Sequence, residues 1–164
     1  MGKYVEMNLA DVTIPSEFQK HPPRNEKIEA KKSEFSENGK LSRGMAVTSD
    51  GVLIDGYAAF LALRQLGEIS FRFKIRDKAT VVDARHATNP SKLYRWRSNH
   101  GTTGKSRFKR GDHIAVRTRY GVREVVVESV QKIPAEEALG LGIVIGRWDP
   151  DMAATGKDVH NDRD

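Results

Sequence analysis

Cysteine is absent from the sequence. Disulfides, thiolate catalysis and cysteine-held zinc or iron–sulfur centres are therefore outside its chemistry. Histidines remain at positions 21, 86, 100, 113 and 160, and none stands at close metal-ligand spacing with a carboxylate, so no metal is expected. Long apolar runs are also lacking: no stretch approaches the roughly 20 consecutive residues of a membrane-spanning helix. Met1 to Ala10 hold one lysine and no apolar core, which is not the pattern of a secretory signal. The expectation is a soluble, cytoplasmic protein with no membrane partner, in keeping with 38% hydrophobic and 30% charged residues. Acid is scarce in one long segment. Between Lys92 and Arg123 ten basic residues stand against a single acid, Asp112, whereas the rest of the chain has 18 basic and 21 acidic residues. The net charge of +6 thus belongs to one region, and such asymmetry points to a surface that faces a polyanion.

What is present reads as two small modules. Val12 and Ile14 before Pro15 predict a short strand, and His21-Pro22-Pro23-Arg24 an irregular stretch. Asn25 to Asn38 predicts a charged helix with Asn25 as N-cap, Ile28 and Phe35 on one face, and Gly39 as its stop. Met45–Thr48 and Val52–Asp55 flank Ser49-Asp50-Gly51, the signature of a hairpin. After Gly56, Tyr57 to Leu66 predicts a helix with Ala58, Leu61, Ala62 and Leu66 at helical spacing and Gly67 as C-cap. Phe71 to Arg76 alternates apolar and basic residues, as a half-buried strand does. Further strands are predicted at Val81–Arg85, Lys92–Arg97, His113–Arg119, Arg123–Val130 and Ile143–Gly146, with a helical turn in Pro134–Leu139. Beyond Trp148 the polar composition predicts disorder.

The N-terminal motifs resemble the ParB/sulfiredoxin superfamily in order and spacing. Pro23-Arg24 stands at the family's Asn-Pro-Arg turn, Met45-Ala46-Val47 at its first core strand, and Leu53-Ile54-Asp55-Gly56 before a helix ending Leu66-Gly67. The resemblance covers roughly residues 12–76. In the family, a His-Arg or Arg-Arg pair after the glycine turn grips phosphate at a helix N-terminus. The matching positions here are Ala58 and Ala59, which can do neither job, so the resemblance implies the fold without the family's nucleotide chemistry. A sulfiredoxin reaction is excluded for want of cysteine. A residual phosphate site would consist of Arg24, Asp55, Gly56 and Tyr57. The plainer alternatives are that Arg24 pairs with a glutamate on the surface and that Asp55 is a carboxylate stabilised by the helix dipole.

The fold class expected is α+β: a ParB/sulfiredoxin-like domain over residues 1–78, a smaller basic β-rich domain over 79–148, and a polar tail over 149–164. Lys109-Arg110-Gly111-Asp112 leading through Val130 resembles a small SH3-like barrel. The binding residues expected are Arg95, Arg97, Lys105, Arg107, Lys109, Arg110, Arg117, Arg119 and Arg123, arginine serving phosphate and aromatic faces serving bases. Against this, Tyr94 and Trp96 suit a core, and alternating arginine also protects an edge strand. Gly104-Lys105-Ser106 resembles the end of a P-loop but lacks the leading glycine, the strand and the long helix that motif needs. The function expected is non-catalytic binding of DNA or RNA, or of a nucleoprotein complex, in a protein of phage or plasmid type, with no catalytic residue and no cofactor. The alternatives are an inhibitor of a nucleoprotein enzyme such as a CRISPR effector, and a divergent nuclease or nucleotide-using phosphotransferase.

Overall fold

The computed structural model describes residues 2–98 and 108–154. The chain divides into two compact units, one running to Asp77 and one starting at Lys78. Both mix or curve β-sheet, and the chain as a whole is α+β.

The first unit contains β1 (Tyr4–Asn8), α1 (Ser16–Lys20), α2 (Asn25–Asn38), β2 (Ala46–Val47), β3 (Leu53–Asp55), α3 (Tyr57–Gln65) and β4 (Ser70–Ile75). Its sheet has the order β1-β4-β2-β3, antiparallel except where β2 runs parallel to β4. The turn between β2 and β3 forms because Gly51 adopts a positive φ of 84° and the Thr48 hydroxyl accepts the Val52 amide at 3.2 Å. The strand predicted at Val12–Ile14 shrinks to a single bridge from Thr13 to Val52. A 3-10 turn at Leu9–Asp11, capped by the Asn8 side chain, precedes it, and Pro15 cannot extend it. In its place β1, whose Tyr-Val-Glu-Met-Asn alternates faces, pairs with β4 through five residues.

Helix α2 spans the predicted residues, but Arg24 is its N-cap and Asn25 its first helical residue. Gly39 closes it with φ 66°. Ile28 is buried and Phe35 packs on Phe71. At the end of α3, Gly67 donates to the Arg64 carbonyl and Glu68 to that of Leu63, the paired bonds of a Schellman stop. The buried stripe of α3 is Ala58, Ala59, Phe60, Ala62 and Leu63, whereas Leu66 is 37% exposed. Of the residues expected on one face, Ala58 and Ala62 are buried and Leu61 is half-buried against the core; Leu66 alone departs, because it is the C-cap, past the last helical residue. Phe60, Phe73, Met45, Leu53, Leu63 and Val47 fill the core.

The Glu34 carboxylate caps the chain after α2, accepting hydrogen bonds from Ser42 and sitting 3.2 Å from the Lys31 ammonium. These bonds hold its pKa down to about 2 from 4.5. A depressed carboxylate adds stability that is complete above its unfolded value and lost as pH falls through its folded one. The stability difference between the wild-type protein and Glu34→Gln should therefore shrink as pH drops from 4.5 towards 2, followed by far-UV circular dichroism melts.

The second unit contains β5 (Lys78–His86), β6 (Leu93–Ser98), β7 (His113–Thr118), β8 (Gly121–Pro134), a 3-10 turn at Ala135–Ala138, β9 (Val144–Arg147) and a short α4 (Asp151–Ala154). The helical turn of α4 occupies residues where polar composition predicted disorder. The sheet order is β6-β5-β8-β7-β9, each pair antiparallel. A parallel bridge from Arg97 to Ile143 links the two edge strands, so the sheet curls back on itself. Valine dominates the enclosed face, with Val82, Val116, Val125, Val127 and Val144 around Ile114, Trp96 and Phe108, as β-branched residues suit a pleated surface. A smaller cluster of Val81, Ile133 and Ala138 lies under the 3-10 turn. Strand β8 outruns its prediction at Val130 because β5 pairs with it as far as Pro134.

Candidate nucleic-acid interface

Strands β7 and β8 form a tight hairpin. Arg119 and Tyr120 make the turn, and Gly121 follows with φ 99°, the left-handed step that returns the chain into register. The Thr118 hydroxyl accepts the Tyr120 amide at 3.1 Å and donates to the Gly121 carbonyl at 2.9 Å. The tip is thus braced by its own side chain. Tyr120 is 66% exposed, and the Arg119 guanidinium lies 4.6 Å from its ring centroid. Arg123 is exposed on β8, with its guanidinium donating to the Val122 carbonyl at 3.3 Å. Arg117 is half-buried, and its carbonyl lies near Gly142, whose own carbonyl accepts the Arg97 amide at 2.8 Å. Arg97 and Arg117 therefore belong to the same end of the sheet. No acid interrupts residues 117–123.

Other predicted residues stand elsewhere. Lys109 and Arg110 are exposed in the turn before β7, which the Asp112 carboxylate braces by accepting the Lys109 amide at 2.9 Å. They lie at the opposite end of β7 from the hairpin tip, roughly 20 Å away for six extended residues. Asp112 also pairs with Arg147 at 3.3 Å. Lys105 and Arg107, with the P-loop-like Gly104-Lys105-Ser106, lie outside the described residues. Arg119 belongs to the turn and does not continue the strand face of Arg117, as its spacing suggested.

Arg95 is placed in a polar knot. Its guanidinium donates twice to Asp83, at 2.7 and 3.1 Å, while Gln131 and Ser129 donate to the same carboxylate at 2.8 and 3.5 Å. Asp83 is buried, and the Arg95 bonds hold its carboxyl below 3.8 against the opposing effect of burial, with Gln131 assisting. The same contact raises the Arg95 pKa. Trp96 is a core residue, 6% exposed, but Tyr94 is 44% exposed, its ring 5.3 Å from that of His86. The expectation that both aromatics are core holds for Trp96 alone.

Of the residues expected at a residual phosphate site, Asp55, Gly56 and Tyr57 are each engaged in other contacts, and Arg24 is the N-cap of α2. Asp55 is paired with Arg43 at 3.3 Å and Arg76 at 3.8 Å, so it is neither a free carboxylate nor a partner of Arg24 among the described residues. Tyr57 stacks on Phe18 with centroids 5.3 Å apart. Gly56 turns with φ 92° against Met45. Ala58 and Ala59 are 1% and 3% exposed, so the positions that match the family's phosphate pair are packed into the core.

No protein-family model matches the chain, and no curated protein matches it. A solved structure does. It is described as a Pnob8-like ParB-N domain and is similar at a TM-score of 0.40 and 19% identity, over 46% of this chain and 30% of its own. The chain therefore spans under a third of that protein's length.

Sequence reasoning did not single out Tyr120 or Asp83 as site residues. Tyr120 had a signal, an aromatic beside glycine between two arginines in a turn. Asp83 had one too, an acid amid valines on a buried strand. Arg43, Arg72, Lys74 and Arg76 were also passed over as a group, although the alternation of Phe71 to Arg76 already placed Arg72, Lys74 and Arg76 on one side.

Proposed function

We propose that the chain is a non-catalytic nucleic-acid-binding protein that meets its ligand with the β7–β8 hairpin of a small SH3-like barrel. The observation that carries this reading is the braced tip, where exposed Tyr120 and Arg119 stand together between Arg117 and Arg123 with no acid. Arginines neutralise backbone phosphates, and an aromatic face stacks on an unpaired base. A tip held by Thr118 loses little conformational freedom on binding, which favours affinity.

The test is a salt titration of binding to single-stranded DNA, duplex DNA and structured RNA. Arg119→Ala/Arg123→Ala should weaken binding about tenfold and reduce the slope of log affinity against log salt by about 2, one for each lost phosphate contact. Tyr120→Ala should leave that slope unchanged while weakening single-strand binding by about 1–3 kcal/mol. If the wild-type protein binds no nucleic acid at near-physiological salt, or if the hairpin variants bind as it does, the reading fails.

A further inference from the structure

Strand β4 turns Phe71 and Phe73 towards the helices, so Arg72 and Lys74, one residue out of phase, lie on the opposite face of the first sheet. Register extends that face across all four strands. Tyr4 pairs with Lys74, Lys74 with Ala46, and Ala46 with Asp55. Ala46 is the small residue in the row, and a hollow of about 210 Å³ opens over it, lined also by Arg43 and Arg76. Four cations thus surround one carboxylate. Asp55 orients Arg43 and Arg76, and the Arg72 guanidinium is held 4.6 Å from the Tyr4 ring centroid. Glu6 faces Arg72 in the ladder at the margin of the hollow, and its carboxylate also accepts the Ser70 hydroxyl at 3.1 Å. Lys74 has no ion pair among the described residues.

Four like charges around a concavity repel one another, Asp55 beside two of them and Glu6 across from Arg72 offset that only in part, and an anion in the hollow reverses the sign of the interaction. The geometry points to a phosphoanion-binding site here, sized for a diphosphate group. Arg72 and Lys74 reach it from the sheet, and Arg43 and Arg76 reach it from the Asp55 side. The site belongs to the first unit and is independent of the hairpin. Its phosphate comes from a free diphosphate or nucleotide, or from a nucleic-acid backbone.

Isothermal titration of the full chain with pyrophosphate, ADP and a single-stranded oligonucleotide separates these sources. The wild-type protein should bind, and Arg72→Gln/Lys74→Gln should bind at least about tenfold more weakly, while Lys74→Arg retains binding. The hairpin variant Arg119→Ala/Arg123→Ala should leave pyrophosphate binding unchanged. Pyrophosphate or ADP binding that depends on Arg72 and Lys74 assigns a free diphosphate. Oligonucleotide binding alone with that dependence assigns a nucleic-acid backbone. The proposal is overturned if no ligand binds, if the double variant binds as the wild type does, or if Lys74→Arg with wild-type circular dichroism has lost binding along with it.

Discussion

Gly56→Ala is expected to destabilise the first unit by about 3 kcal/mol, summing the cost of a left-handed alanine and of overpacking. Gly56 sits between β3 and α3 with φ 92°, and a Cβ there would lie 2.6 Å from Met45 Cγ and 3.2 Å from Met45 Cα. The side-chain atom has little room to retreat, because Met45 is 1% exposed and packed in the core. The backbone atom belongs to the segment whose carbonyl accepts the Lys74 amide at 3.0 Å, so the sheet would have to yield. Gly39→Ala is the control. It shares the left-handed backbone, φ 66°, but its added Cβ meets nothing within 4 Å, and its cost should be only about 1 kcal/mol. Far-UV circular dichroism at 222 nm during urea unfolding reads both, since α2 and α3 are the long helices among the described residues. Equal costs for the two variants would refute the close approach at Met45.

Asp83→Ala should cost the second unit about 2–3 kcal/mol, below the range for breaking a fully buried ion pair because Arg95 can rehydrate. The Asp83 side chain is 10% exposed and that of Arg95 is 40% exposed. Removing the carboxylate takes the shared acceptor from Arg95, Gln131 and Ser129 at once, and water replaces it only in part. Arg95→Ala leaves the buried carboxylate with only Gln131 and Ser129, so the double variant should cost clearly less than the sum of the singles. The fluorescence of Trp96, next to Arg95, reports this unfolding. The pH sign follows from the depressed Asp83 pKa. Its contribution is complete above 3.8 and fades as pH falls through the lower folded value, so wild type and Asp83→Ala should converge in acid. An additive double variant, or a difference that grows below pH 3.8, would refute the pairing. The same knot means that an Arg95 substitution acts first on the stability of the unit, which makes Arg119 and Arg123 the better probes of ligand contact.

The sequence by itself determined the local punctuation and the distribution of charge. Gly39 ending α2, Asp50-Gly51 turning β2 into β3, Gly67 ending α3 and Tyr120-Gly121 closing the β7–β8 hairpin are all readable because each depends on neighbours within a few residues. The concentration of basic residues between Lys92 and Arg123 is likewise a property of the chain alone. Tertiary structure decided which of those charges stand together. Pairing of β5 with β6 and β8 brings Asp83 to Arg95 and Gln131, which removes one arginine from the basic set. The length of β7 separates Lys109 and Arg110 from the hairpin tip. Pairing of β1 with β4 brings Tyr4 to Lys74, and β2 beside them brings in Ala46 and Asp55, creating a hollow whose residues are scattered along the chain. Register and burial depend on partners far apart in sequence, whereas periodicity and capping report only on adjacent turns of chain.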